Sequence, residues 1–363
     1  MTLKVISLFS GIGGMDMGFD GEVIVHKDSL SDIEFIEKPY SIKNFVILKR
    51  NNFECVFQND ILPGAKEVFG YNYDDKNYKT VSIYNLISEN FKFPDADVVI
   101  GGFPCQDFSH AGKRKGFESN KGHDLKEVVD KTKENSRGTL YKSFVEVVKQ
   151  VKPKVFVAEN VYGLLTMKDE PIKRIIQDFS EIGYDVNYQV VYCPEFGIPQ
   201  TRKRVIIMGI SKDRKSVIPR DWNVITKNKS TCTVGKYFEH LAEPDVTTDI
   251  SQKIYSKAKK LATGQGQTEI DLKAFAPTIR AEHHGNIEFR RYSNSKTNVE
   301  ENTLPERRLT IRETGLIQTF PPNYVFNKKT HMTPYKYIGN AVPPLLSYLI
   351  ADKVEDLCNK YFT

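Results

Sequence analysis

The segment Gly101-Gly102-Phe103-Pro104-Cys105-Gln106 sets a cysteine behind two glycines and a proline. Glycine permits close backbone turns and proline fixes the chain, which suits an exposed thiolate nucleophile, although an isolated cysteine is more often an inert packing group. Glu159 ends another apolar run and could hold a proton or cap a helix, an ambiguity that only pairing with Cys105 removes. Gln200-Thr201-Arg202-Lys203-Arg204 precedes a third run, and strand alternation puts Gln200, Arg202 and Arg204 on one side, suited to an anion or a base. Phe9-Ser10-Gly11-Ile12-Gly13-Gly14 makes a turn that lets the backbone approach a ligand closely. It lacks the third glycine of a dinucleotide fingerprint, since Asp16 stands there, and no GK[ST] follows to make a phosphate loop. Asp60 could bind a ribose diol or cap a helix over residues 61–70, and spacing alone favours the cap.

Positioning these residues requires a sheet. Near-continuous, β-branched runs at 5–9, 55–59, 98–101, 155–158 and 205–209 read as buried strands, and residues 140–151 and 172–182 carry helical periodicity. Such alternation predicts an α/β fold, a mostly parallel, doubly wound sheet with ligands beyond the carboxyl ends of its strands. From residue 211 to 302 the chain turns to Lys, Thr, Asn and Ser, with short strand candidates at 276–280 and 287–292. Order returns where Thr310 and Glu313 have capping-box spacing, and a last helix should begin near Pro343 and Pro344. The expected plan is a discontinuous domain of residues 1–210 and 306–363 and a smaller, irregular one of 211–305.

Whole-chain properties narrow the function. The five cysteines, Cys55, Cys105, Cys193, Cys232 and Cys358, form no CxxC pair, which argues against a zinc site or disulfide framework and leaves four expected packing residues. A net charge of +6 makes a polyanion partner only somewhat more attractive. No run of about eighteen apolar residues suggests a membrane span, and the N-terminus does not read as a secretory signal, so the expected location is cytoplasmic.

In the order FSGIGG, GFPCQDFS, SRGTLY, AENV, QTRKR, RLTIRETGLIQTFP and YIGNAVPP, from Phe9 to Pro344, the chain resembles bacterial DNA (cytosine-5) methyltransferases of the restriction-modification type. The resemblance implies the S-adenosylmethionine-dependent methyltransferase fold with a target-recognition domain. The Cys105 thiolate would add to carbon 6 of cytosine, making carbon 5 able to attack the sulfonium methyl of S-adenosylmethionine, with S-adenosylhomocysteine as product. Glu159 would hold or supply a proton at ring N3, and Arg202 and Arg204 would lie near the cytosine O2 and orient the base and Glu159. The base, buried in a duplex, would have to be flipped out. Phe9, Gly11, Ile12, Gly13 and Gly14 would take the methionine portion and adenine, Asp60 the ribose and Ile61 the adenine, with Gly102, Pro104, Leu140 and Asn340 completing the pocket. The resemblance thus reverses the cap reading of Asp60. No metal is implied.

Several departures stand out. The family usually has glutamate and an aromatic where this chain has Asp60 and Ile61. The strand that commonly supplies an adenine-binding aspartate falls at residues 81–85, with Ser82 or a neighbour in its place. The long interval from Gly14 to Asp60 marks residues 21–50 as an insertion with an added strand or hairpin at 40–48, and the loop 106–136 reads as a charged lid. Target reading falls to 211–305, where Arg280, Arg290 and Arg291, with Gln200, are the expected DNA contacts; His283 and His284 lack a third metal ligand and suit DNA contact or plain surface. Expected partners are double-stranded DNA and a possible cognate restriction endonuclease acting on the same site without obligatory complex, with the chain a monomer, nucleoid-associated through DNA. A tRNA cytosine-5 methyltransferase is the nearest rival, but GFPCQ replaces a PPCQ-type motif and no CFT occurs. A non-catalytic DNA-binding homologue would not need Cys105, Glu159 and Arg204 together, and a dehydrogenase fails on its glycine pattern.

Overall fold

The computed structural model describes residues 2–104, 140–167, 170–217, 222–228, 230, 232–259, 266–281 and 287–362. In chain order its elements are β1 (Leu3–Leu8), α1 (Gly14–Asp20), β2 (Ile24–His26), β3 (Ile36–Pro39), β4 (Phe45–Leu48), β5 (Phe53–Asp60), α2 (Pro63–Phe69), β6 (Tyr78–Thr80), α3 (Ile83–Ser88) and β7 (Val98–Gly101). Then come α4 (Leu140–Val151), β8 (Val155–Val161), α5 (Pro171–Glu181), β9 (Tyr184–Tyr192), β10 (Lys203–Ser211), α6 (Val234–Phe238) and α7 (Ile250–Lys253). The chain closes with β11 (Phe289–Arg291), β12 (Arg307–Arg308), α8 (Ile311–Ile317), α9 (Pro334–Asn340) and α10 (Pro344–Phe362).

Seven strands form the central sheet in the order β6-β5-β1-β7-β8-β10-β9. Neighbours from β6 to β8 run parallel, whereas β10 is antiparallel to both β8 and β9. Period-two alternation supplies both faces of the core. Ile6, Leu8, Val99, Phe156 and Val205 join Phe144 of α4 and Phe179 of α5 on one side. Val5, Val98, Ile100, Val155 and Val157 join Leu345 and Ile350 of α10 on the other. The five predicted buried strands and the two long helices all form, and the Thr310–Glu313 capping box is present in both directions.

Three expectations change. Residues 276–280 are not a strand: only an isolated bridge links Ala276 to Gln200. The strand expected at residues 81–85 lies instead at Tyr78–Thr80, and Ser82 precedes α3. The insertion is more than one hairpin, since β2, β4 and β3 make a separate antiparallel sheet. That sheet packs on the segment around α6, where the Ser29 and Tyr237 hydroxyls are 2.8 Å apart and Phe45 meets the Tyr237 and His240 rings. Residues 211–305 hold α6, α7 and β11 among the described residues. Their apolar side chains, including Ile225, Val234 and Ile279, are continuous with the core beside the sheet.

Candidate active site

The glycine turn after β1 uses left-handed backbone at Phe9 (φ 56), Gly11 (φ 55) and Gly13 (φ 80). Phe9 carries a side chain in that region, a local cost of about 1–2 kcal/mol that surrounding structure must offset. Part of that restraint is Asp60, at the carboxyl end of the neighbouring β5. Its Oδ2 accepts the Gly11 amide at 3.0 Å and its Oδ1 the Leu62 amide at 2.9 Å. Burial pushes the Asp60 carboxyl up, and these amides pull it back. Asp60 is therefore not the side-chain cap of α2, whose N-cap is Leu62. Tyr78 closes the turn from the far side, donating its hydroxyl to the Gly11 carbonyl at 2.9 Å.

A cavity opens at this edge. Phe9, Gly11, Ile12, Gly14, Asp60, Ile61, Gly102, Pro104, Leu140 and Asn340, assigned to the cofactor by resemblance, all line it, as does Glu159. Gly13 does not line it; a Cβ there would meet the Phe69 ring at 3.0 Å. Gly14 is demanded by close approach, because its Cβ would lie 2.5 Å from the Val342 carbonyl oxygen. Lys336, Tyr337 and Val342, which the motifs do not single out, also line the cavity, as does Ser82, which stands where the family's adenine-binding aspartate is expected. Lys336 and Tyr337 lie four and three residues before Asn340 on α9, so helical spacing was the signal for them.

Glu159 faces the same cavity from β8 and is 7% exposed. Its Oε1 is 2.8 Å from Arg204 Nε and 3.9 Å from Arg202 Nη2. Antiparallel β10 explains the meeting, since its first residues lie beside the carboxyl end of β8 with Arg204 opposite Val161. Gly102 leaves room for the carboxylate, as a Cβ there would be 3.3 Å from Glu159 Oε2. Arg202 is 1% exposed and donates to the carbonyls of Ile279, Gly339 and Ala341 at 3.1, 3.1 and 3.2 Å. It ties together the walls behind Glu159, a different place from the expected contact with a base.

Cys105, the next residue after Pro104, lies outside the described residues, as do the loop 106–136, Arg137, His283 and His284. The other four cysteines are buried. Burial pushes the thiols of Cys193, Cys232 and Cys358 up to about 12 and that of Cys55 well above its ordinary value, so none is a ready thiolate.

The expected nucleic-acid contacts separate. Gln200 is fully buried, donating to the Ile317 carbonyl at 3.1 Å and accepting the Ile279 amide at 3.3 Å. Arg290 is paired with Glu301, and Arg291 with Glu243 at 2.6 Å and Glu301 at 3.2 Å. With 7% and 1% exposure they brace the chain here, correcting their expected place on the DNA surface. Arg280 differs: it is half-buried, and its Nη1 has no hydrogen-bond partner among the described residues.

Residues 3–356 match a family model described as C-5 cytosine-specific DNA methylase. The chain is 31% identical to the Type II methyltransferase M.BspRI of Lysinibacillus sphaericus, the match covering 99% of this chain and 82% of that protein. It is 32% identical to the Type II methyltransferase M.NgoFVII of Neisseria gonorrhoeae, over 94% of this chain and 83% of that one. A crystal structure of a putative DNA modification methyltransferase encoded within a prophage (E. coli) superposes with a TM-score of 0.62 at 20% identity, covering 99% of this chain and 100% of that chain. That last likeness concerns the fold.

Proposed function

Because the chain belongs to the C-5 cytosine-specific DNA methylase family, we propose that it methylates carbon 5 of a cytosine flipped out of a specific duplex sequence, through a covalent adduct at Cys105. It is a C-5 cytosine DNA methyltransferase of the Type II restriction-modification type. The observation that carries the finer reading is the Glu159–Arg204 pair at 2.8 Å, set on the cavity that the glycine turn and Pro104 also line.

The cavity suits S-adenosylmethionine. The Gly11 turn brings backbone to its wall without side chains, Asp60 offers carboxylate oxygens, and Leu8, Ile12, Ile61 and Val342 give apolar surface. Bound there, that cofactor would supply an electrophilic sulfonium methyl. The Cys105 thiolate adds to carbon 6 of the ring, which makes carbon 5 nucleophilic; after methylation, loss of the carbon 5 proton and expulsion of the thiolate restore the aromatic ring. Glu159 holds the proton at N3 that offsets charge created by the addition. Arg204 orients Glu159 and reaches the base at O2, while Arg202, spent on three carbonyls, is a positioning residue. Residues 211–305 read the target, with Arg280, half-buried where Gln200, Arg290 and Arg291 are buried, the best placed of the side chains expected to touch DNA. The chain then works as a cytoplasmic monomer on the nucleoid, protecting DNA from a cognate endonuclease.

Bisulfite sequencing of DNA from cells expressing the protein tests this reading. Cytosines protected within one recurring sequence are expected; unmodified DNA together with methylated tRNA would overturn it.

A further inference from the structure

A second cavity lies behind the glycine turn, between α1, β5 and the chain after α2. Asp16, Asp20, Glu54, Gln58, Tyr73 and Asp74 line it, and it is separate from the methyl-donor cavity. Two of these side chains are deeply buried, Asp16 at 4% exposure and Gln58 at 5%. Neither carboxylate oxygen of Asp16 nor the Oε1 of Gln58 has a hydrogen-bond partner among the described residues. Gln58 is held by its other end, donating Nε2 to the Cys55 carbonyl at 3.3 Å.

Two other carboxylates of the cavity are already matched. Asp20 takes Arg50 at 3.0 Å and the Cys55 amide at 3.0 Å, and Asp74 takes Lys76 at 2.8 Å. Asp16 has no such cation. Burial pushes its carboxyl up to about 7; the nearby Ser7 hydroxyl pulls the other way without a well-formed hydrogen bond, and the Asp20 and Asp60 carboxylates push further up. A buried carboxylate without a countercharge is costly; a retained proton removes that cost, and so does a cation that arrives from solvent and displaces the proton.

We propose that this cavity binds one small inorganic cation, with the Asp16 carboxylate as its countercharge and Gln58 Oε1 as a second oxygen ligand. Among the described residues no three His, Cys, Asp or Glu side chains converge on one point, so the ion keeps part of its water shell instead of entering a carboxylate cage. The site bears on the catalytic centre through α1, which starts at Gly14 of the glycine turn and carries Asp16 in its first turn. An ion there braces the helix from which the turn is hung.

Equilibrium dialysis of the full chain without methyl donor or DNA tests the proposal, using rubidium as the probe for a monovalent ion and manganese for a divalent one. Ionic strength is held with N-methylglucamine chloride. One ion per chain of either type is expected, and the type retained separates the two charge classes. Asp16→Asn, which keeps the side-chain shape, and Gln58→Met should each weaken retention at least tenfold. In parallel, the retained ion should raise the thermal midpoint of the native chain saturably, by on the order of 2 °C, and leave Asp16→Asn unmoved. Retention of neither ion by the native chain would overturn the proposal, a reading that stands even if a variant fails to fold. So would equal retention by a folded Asp16→Asn variant.

Discussion

At the scale of single residues, the proposed chemistry divides between a thiol and a carboxylate that the chain keeps far apart in sequence. Cys105→Ser should abolish methyl transfer, because a hydroxyl is a far weaker nucleophile toward carbon 6, while calorimetry should find methyl-donor binding retained. Turnover surviving that change would remove Cys105 from the mechanism. Glu159→Gln keeps the shape of a side chain that packs against Gly102 and meets Arg204, so the fold should persist. Its single-turnover rate should fall by about 10²–10⁴, the usual worth of a positioned proton, with donor affinity little changed. A large loss of donor affinity instead would make Glu159 a wall of the cofactor pocket and not a partner of the base.

Elements set the precision of that arrangement. The glycine turn is gripped by three neighbours: Asp60 at the end of β5, Tyr78 of β6 and the chain between α9 and α10. The grip on the last side is steric. Gly14→Ala would press a methyl against the Val342 carbonyl at 2.5 Å and the Ala341 Cβ at 3.0 Å, backbone that cannot swing aside. We expect a loss of about 1–3 kcal/mol in denaturant unfolding. Donor affinity should fall with it, since Gly14, Ala341 and Val342 line one cavity. A variant as stable and as tight-binding as the parent would show that the α9–α10 connection yields freely.

Across the whole molecule, a buried ion network joins the irregular region to the catalytic frame. Arg307 of β12 pairs with Glu313 of α8 at 2.8 Å and with Glu243 at 3.1 Å, and Glu243 also holds Arg291 of β11. Burial works to raise the Glu243 carboxyl, but hydrogen bonds and charge from Arg291 and Arg307 prevail and draw it down to about 2. A carboxyl lowered by folding stabilises above its unfolded value near 4.5, and the effect fades as pH falls toward 2. Glu243→Gln should therefore lower the denaturant midpoint at pH 7, and the gap to the parent should narrow by pH 3. A gap that stays constant with pH would mean that packing, and not charge, accounts for the loss. This network also explains why two arginines of a basic-looking segment are not surface groups: burying them requires carboxylate partners, which Glu301 and Glu243 supply.

Much of the site was legible in the chain because it depends on local rules. Apolar runs must be strands when buried on both faces, glycines must stand where backbone approaches a ligand, and Thr310 with Glu313 must start a helix. So the positions of Gly11, Asp60, Gly102 and Glu159 at one sheet edge followed from the sequence. What the chain could not say is which distant groups share a space. The antiparallel turn of β10, set by pairing with β8 and β9, delivers Arg204 to Glu159. Carboxylates of other segments, Glu243 and Glu301, bury Arg290 and Arg291, and only folding brings Lys336 and Tyr337 to the cavity that the glycine turn lines. Hydrophobic period and turn chemistry act over a few residues and are written locally; strand direction, charge compensation and cavity walls are agreements between segments, and only the assembled fold decides them.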